Sequence, residues 1–322
     1  MLARSAQGLY WMGRYLERTE HLCRLLRSQT AALVDRPIEE IHSGWNRIYN
    51  SMNRMPPVGG LELIDSDEFT LADSFTLTDD LAFERSNPDS VWSCLSYGRE
   101  NARQMRHCIS GEMWTHLNLS YLRIQKIDIL TIWRSSPETF FSETAAEMDT
   151  FVGVATATMY RDEGWHFMQL GRFIEGAQLA ASLLLGQLRH VPNAMAVPEA
   201  DWMALLRDYN AVETYNRRYG TEVLPNHVLD LIATDPYLPR SLCRSLDRAG
   251  RELNALGPGP NEKSSGAAQR LSGRVRALIH YDWPDSSNHE KMLHRIGEYC
   301  RQFHLLVSET YFNYPTEAPV VS

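Results

Sequence analysis

Lysine is nearly missing from this chain: Lys126, Lys263 and Lys291 are the only three among 32 basic residues, so 29 are arginine. Arginine's planar fork suits buried and bidentate carboxylate pairs better than lysine's point charge, although codon bias in a GC-rich genome yields the same composition. No run of basic residues occurs, and the formal charge is −8. Nucleic-acid binders carry a basic face or stripe, so nucleic acid is excluded as an expected partner. Cysteine is sparse and odd in number: Cys23, Cys94, Cys108, Cys243 and Cys300 are widely spaced, with no Cys-x-x-Cys. Such spacing argues against a disulfide framework and a zinc site, and fits buried thiols in a reducing compartment. No apolar run approaches the ~18 residues of a membrane span; LAASLLLG at 179–186 is among the most continuous. The opening MLARSAQGLYWMGRYLERTE carries charges where a signal peptide places its apolar stretch. A cytoplasmic protein without membrane contact is expected.

Alternating β-branched runs are nearly absent as well, whereas apolar residues recur at helical spacing almost everywhere. The fold class expected is all-α. Proline-rich breaks divide the pattern into about ten to twelve helices, near 3–34, 38–53, 89–110, 112–134, 138–159, 162–190, 199–219, 239–255, 267–281 and 287–312, with shorter helical turns at 68–85 and 222–233. MNRMPPVGG (52–60) and GPGPNEKSSGAA (257–268) read as loops, and the tail from Pro315 lacks periodicity.

The pattern repeats. LYWMGRYLERTEHLCRLL (9–26) lies over FMQLGRFIEGAQLAASLL (167–184) at an offset of 158, Trp45 falls on Trp202 at an offset of 157, and Asn87-Pro88-x-Ser90 is echoed by Leu238-Pro239-x-Ser241. A duplicated bundle with halves 1–158 and 159–322 is the expectation. In the first copy Leu9, Met12, Leu16 and Cys23 occupy one side, yet Tyr10, Trp11 and Leu25 stand on the other among Arg14, Glu17 and Arg18. The second copy is apolar all round except for Arg172 and Glu175. A helix apolar on every side is buried, and charges within it need partners, because an unpaired buried charge costs several kcal/mol. The simplest pairing exchanges them, Arg14 with Glu175 and Arg172 with Glu17. Glycine inside a helix costs about 1 kcal/mol relative to alanine; close approach of two helix backbones explains Gly13 and Gly171.

LYWMGRYLERTE (9–20) closely resembles the N-terminal signature of the alpha-E family, a bacterial all-helical domain with a Glu-Arg motif, and NPDSVWSCLSYGRENARQMR (87–106), GEMWTHLN (111–118) and RDEGWHFMQLGRFIE (161–175) agree with it in order. The resemblance implies an internally repeated bundle whose partners are a circularly permuted ATP-grasp ligase and a transglutaminase-like protein. Residue by residue it carries Arg14, Glu17, Arg18, Glu20 and Arg24 from the first signature, Arg99, Glu100, Asn101 and Arg103 from the second, and Arg161, Asp162, Gly164, Trp165, Arg172 and Glu175 from the third. The chain departs at His166 and at Gly176, Ala177 and Gln178, where a second Glu-Arg pair is incomplete.

Two readings of the polar residues stay open. Arg14, Glu17, Arg18, Glu100, Arg103, Arg172 and Glu175 are either buried ion pairs fixing helix register, or a cleft gripping an anionic ligand through arginine forks. An excess of arginine over carboxylate in the assembled cluster distinguishes the second. Di-iron bundles use paired Glu-x-x-His motifs; Glu163-Gly-Trp-His166 has that spacing, whereas Glu112…His116 and Glu290…His294 do not. No metal or other cofactor is expected. Nucleophile-elbow, phosphate-loop and His-Glu-x-x-His signatures are absent. The function expected is a non-catalytic helical partner of an ATP-grasp-type amide or peptide ligation system, binding an anionic or peptide substrate. The alternatives are an enzyme using the Arg/Glu cleft for acyl or amide chemistry, and a structural homo-oligomer.

Overall fold

Two long helices cross at the centre of the molecule, and the remaining helices are laid around them. The computed structural model describes residues 1–57, 67–189, 199–258 and 266–312, and these residues form no strand. In chain order the helices are α1 (Ala3–Ala32), α2 (Ile38–Ser51), α3 (Asp67–Ala82), α4 (Val91–Gln104), α5 (Gly111–Ile124), α6 (Ile129–Arg134), α7 (Pro137–Thr158), α8 (Glu163–Arg189), α9 (Glu199–Asp208), α10 (Val212–Tyr219), α11 (Pro225–Thr234), α12 (Leu242–Leu256), α13 (Ala267–Ala277) and α14 (His289–Tyr311), with a π-helical turn at Leu278–Asp282.

The crossing pair is α1 and α8, the two Gly-Arg-x-x-Glu helices. Leu9, Tyr10, Met12, Cys23, Leu25 and Leu26 are each at most 2% exposed, so α1 is buried on the side that carries its charges as well as on its apolar side. Each central helix has its own shell. Helices α4 and α7 pack on α1, with α5 against both; α12 and α14 pack on α8, with α13 against both. The tryptophan helices cross over, α2 lying on α8 and α9 touching α1. Trp45 and Trp202 are both 1% exposed.

Capping fixes where several of these helices begin. Ser90 Oγ accepts from the Ser93 N–H and Ser241 Oγ from the Arg244 N–H, both at 3.1 Å, so the two Pro-x-Ser echoes start α4 and α12 in the same way. Such a cap contributes about 1 kcal/mol.

The segmentation differs from expectation in four segments. The segment 112–134 is broken after Ile124, because Asp128 caps a separate α6 by accepting from the Thr131 N–H at 2.8 Å. The segment 199–219 is broken where Asn210 takes φ +49°, between α9 and α10. The stretches at 68–85 and 222–233 are full helices, α3 and α11, which brings the total to 14 α-helices among the described residues. Met52–Pro57 is non-helical as expected. Gly257 (φ +70°) ends α12 and Gly266 (φ +83°) precedes α13; the loop between them, like the tail from Pro315, lies outside the described residues.

Candidate functional site

The crossing is set by two glycines acting reciprocally. A Cβ on Gly13 would fall on the backbone carbonyl of Met168 and lie 3.0 Å from the Arg172 nitrogen; one on Gly171 would fall on the carbonyl of Tyr10. Met168 and Tyr10 are themselves equivalent at the 158-residue offset, so the two contacts map onto each other. With the backbones this close, side chains one turn along α1 reach over α8 and the reverse.

The charges are paired across that crossing. Arg14 Nε donates to Glu175 Oε2 at 2.5 Å, Arg18 Nε donates to the other Glu175 oxygen at 2.7 Å, and Arg172 Nε donates to Glu17 Oε2 at 2.9 Å. Arg14 is 4% and Glu175 1% exposed. Burial alone would raise the Glu175 carboxyl, but the two guanidiniums outweigh it and hold it at about 2. His21 beside them is pushed down to about 3, first by burial and then by Arg24, and stays neutral.

The halves solve the same electrostatic problem differently. Arg18 bridges Glu175 to Asp89, in the loop that enters α4. The equivalent of Arg18 is Gly176, which supplies no charge. A further arginine, Arg240, comes instead from the loop that enters α12 and serves a different carboxylate of α1: it donates to Glu20 Oε1 at 2.7 Å and to Asp149 Oδ1 at 2.6 Å. Glu20 also meets Arg24 at 2.7 Å. Asp89 and Arg240 are the variable residues of the two Pro-x-Ser echoes, an acid in the first half and a base in the second. Neither was singled out from the sequence; the echo was visible, but not that its variable position points at the crossing.

Five arginines (Arg14, Arg18, Arg24, Arg172, Arg240) thus face five carboxylates (Glu17, Glu20, Asp89, Asp149, Glu175). The spaces beside Glu17 and Arg172 are only about 20 Å³ and 10 Å³, about one water molecule each. The interior cluster is charge-balanced and filled.

Five of the expected residues do not join it. Arg99 donates to Asn118 Oδ1 at 2.9 Å and lies about 5 Å from the Trp114 and Tyr121 rings. Glu100 and Arg103 form an exposed pair at 2.6 Å one turn apart on α4. Arg161 stacks 3.5 Å above Trp165, and Asp162 caps α8 by accepting from the Gly164 N–H at 2.9 Å. All five serve the outer side of α4 or the entry to α8. The histidine of the Glu-x-x-His motif is engaged elsewhere, His166 Nδ1 lying 2.7 Å from Glu252 Oε2.

Open space lies on the other side of the Glu175 pair. A groove of about 790 Å³ runs between α8, the end of α2 with residues 52–55, and α14. Arg18 and Glu175 form part of its floor, while Arg54, Asp89, His294 and Arg301 stand around it. Arg54 pairs with Asp89 at 3.7 Å, and Arg301 has no carboxylate partner among the described residues. Arg18, Asp89 and Glu175 are shared with the balanced cluster, so the groove adds Arg54 and Arg301 and no further carboxylate, the excess that the interior cluster lacks.

Fold and cluster together define an all-helical bundle organised around a Glu-Arg motif, Glu17-Arg18, whose charges are exchanged between two crossing helices. The chain belongs to the Alpha-E family, described as a predicted alpha-helical domain with a conserved ER motif, which it matches over residues 1–312. Uncharacterized proteins of Mycobacterium bovis and of Mycobacterium tuberculosis are 26% identical over 304 residues, covering 88% of this chain and 33% of theirs. The chain therefore spans about a third of the length of the curated relatives it matches. No solved structure matches it.

Proposed function

We propose that this domain is a non-catalytic helical partner in an ATP-grasp-type amide or peptide ligation system, and that the groove over Arg18 and Glu175 receives an anionic or peptide segment. The observation that carries this reading is the division of charge: the interior cluster is compensated and filled, whereas the 790 Å³ groove keeps arginine in excess. An arginine fork without an acidic partner is suited to a carboxylate or phosphate. The length of the mycobacterial relatives is consistent with a partner role, since in them the matching region is one third of a longer chain.

The described residues offer no activated nucleophile that would favour catalysis. Burial pushes the thiols of Cys94 and Cys300 up to about 12 and raises that of Cys23, and a thiol so held is not a thiolate at neutral pH. Glu175, held ionised by two arginines, is a poor proton acceptor and no proton donor.

The test is co-purification with a circularly permuted ATP-grasp ligase and measurement of that ligase's ATP turnover. The expected result is a stable complex and an altered turnover, both weakened by Arg301→Glu, an exposed change that leaves the fold intact. Conversion of a peptide substrate by the domain alone, abolished by Glu17→Gln, would establish the enzyme instead.

A further inference from the structure

Away from the crossing, three side chains of metal-ligand chemistry converge on the outer side of α12. Cys243 and Asp247 stand one turn apart on that helix, and His280 reaches them from the π-helical turn after α13. Cys243 Sγ lies 3.7 Å from His280 Nε2 and 3.9 Å from Asp247 Oδ2, and the imidazole nitrogen is 3.2 Å from that same oxygen. Zinc bonds of about 2.3 Å to sulfur and about 2.0–2.1 Å to nitrogen and oxygen, at tetrahedral angles, place ligand atoms about 3.3–3.6 Å apart. The triangle formed by the three atoms is within a few tenths of an ångström of that requirement.

The surroundings hold the triangle in shape. Arg276 Nε donates to the other Asp247 oxygen at 2.7 Å, which orients the carboxylate and leaves Oδ2 within 3.9 Å of the cysteine, while His280 Nε2 lies 3.1 Å from Oδ1 and 3.2 Å from Oδ2. Hydrogen bonds of this outer kind are what fix metal-ligating carboxylates. The π turn is anchored: the Trp283 N–H donates to the Leu278 carbonyl at 2.9 Å, and the Trp283 ring, 1% exposed, donates through Nε1 to Asp230 at 3.0 Å. Single π-helical turns recur at functional sites because they re-aim a side chain, and here the turn carries His280. Exposure is graded, with Cys243 1% exposed, the Asp247 side chain 14% and that of His280 37%. An ion among them would be screened by protein on the sulfur side and open to solvent on the imidazole side.

We propose that Cys243, Asp247 and His280 form a binding site for one divalent transition-metal ion of the zinc class, with three protein ligands and a fourth position left to water. Mixed sulfur, nitrogen and oxygen donors select zinc, or cobalt as its spectroscopic substitute, over magnesium and calcium, which prefer oxygen alone. Binding forms the metal–sulfur bond and releases the thiol proton to solvent. It would clip α12 to the π turn that follows α13. Nothing in the proposal depends on the groove or on a ligase partner.

Cobalt(II) titrated into the full chain under reducing conditions tests it. The expected result is one equivalent bound, thiolate-to-cobalt charge-transfer absorption in the near ultraviolet, and displacement of that signal by zinc. His280→Ala, a change at a partly exposed residue that the fold tolerates, should weaken cobalt binding at least about tenfold, since loss of even an outer partner costs 10–100-fold. Zinc should raise the melting temperature of the parent chain and not that of His280→Ala. Cobalt uptake without the thiolate band, or equal uptake by the parent and His280→Ala, would overturn the site.

Discussion

Glu20 is buried between Arg24 and Arg240, each 2.7 Å away, and its second oxygen has no hydrogen-bond partner. Removing one of two arginines from such a carboxylate leaves charge uncompensated, which typically costs 3–5 kcal/mol. Arg240→Met should therefore lower the unfolding free energy by about 3 kcal/mol in urea titration. His21 gives a second expectation at this scale. Its folded pKa lies at about 3, below the ordinary value near 6.5. A depressed value means that the unfolded chain binds the proton first, so stability is complete above about pH 6.5 and declines as the pH falls toward 3. His21 alone contributes a decline of up to about 1.4 kcal/mol per pH unit in that window. Urea titrations at pH 7, 6 and 5 check it; a flat profile would mean that His21 is hydrated in the folded state. The sequence made the Arg14–Glu175 and Arg172–Glu17 exchange legible, because two charges inside an all-round apolar helix have few other places to go. Arg240 was not legible: it meets Glu20 across 220 residues, from a loop whose charge carries no periodic signal.

At the scale of helices, the crossing of α1 and α8 makes a prediction opposite in sign to helix propensity. Alanine in place of a mid-helix glycine ordinarily stabilises by about 1 kcal/mol. At Gly171 the added Cβ would occupy the position of the Tyr10 carbonyl, so the helices must separate. Gly171→Ala should cost about 3 kcal/mol, and Gly171→Leu more, visible as a lowered melting temperature. An unchanged melting temperature would remove close approach as the reason for these glycines. The long helices were readable from their periodicity, and α4 and α12 from their Pro-x-Ser starts. The breaks after Ile124 and Asp208 were not, because neither has a proline or glycine at the break; a capping aspartate and a left-handed asparagine do that work. Helix α3 read only as turns, its apolar residues forming no single clear stripe.

Across the whole molecule, the order central helix, tryptophan helix, capped helix, outer helices recurs, and glycine contacts and ion pairs map onto one another at a common offset. We infer that the halves 1–158 and 159–322 descend from one duplicated unit whose second copy carries glycine at the position of Arg18 and an arginine at Arg240. A Cβ at Gly176 would lie 3.3 Å from Glu17 Oε1 and 3.5 Å from Ser245 Oγ, so the site can admit a side chain with small shifts. Adding Gly176→Arg to Arg240→Met should then recover at least half of the lost stability; no recovery would mean that the two positions are not equivalent.

The division between a filled ionic interior and an arginine-rich groove is what the proposed binding face rests on. Hydrogen exchange of the domain, alone and with a circularly permuted ATP-grasp ligase, tests that assignment most directly. The account predicts new protection of the amides that border the groove, 50–55 and 293–301, with little change in α5 and α7 on the far side. Protection confined to α5 and α7, or none anywhere, would contradict it.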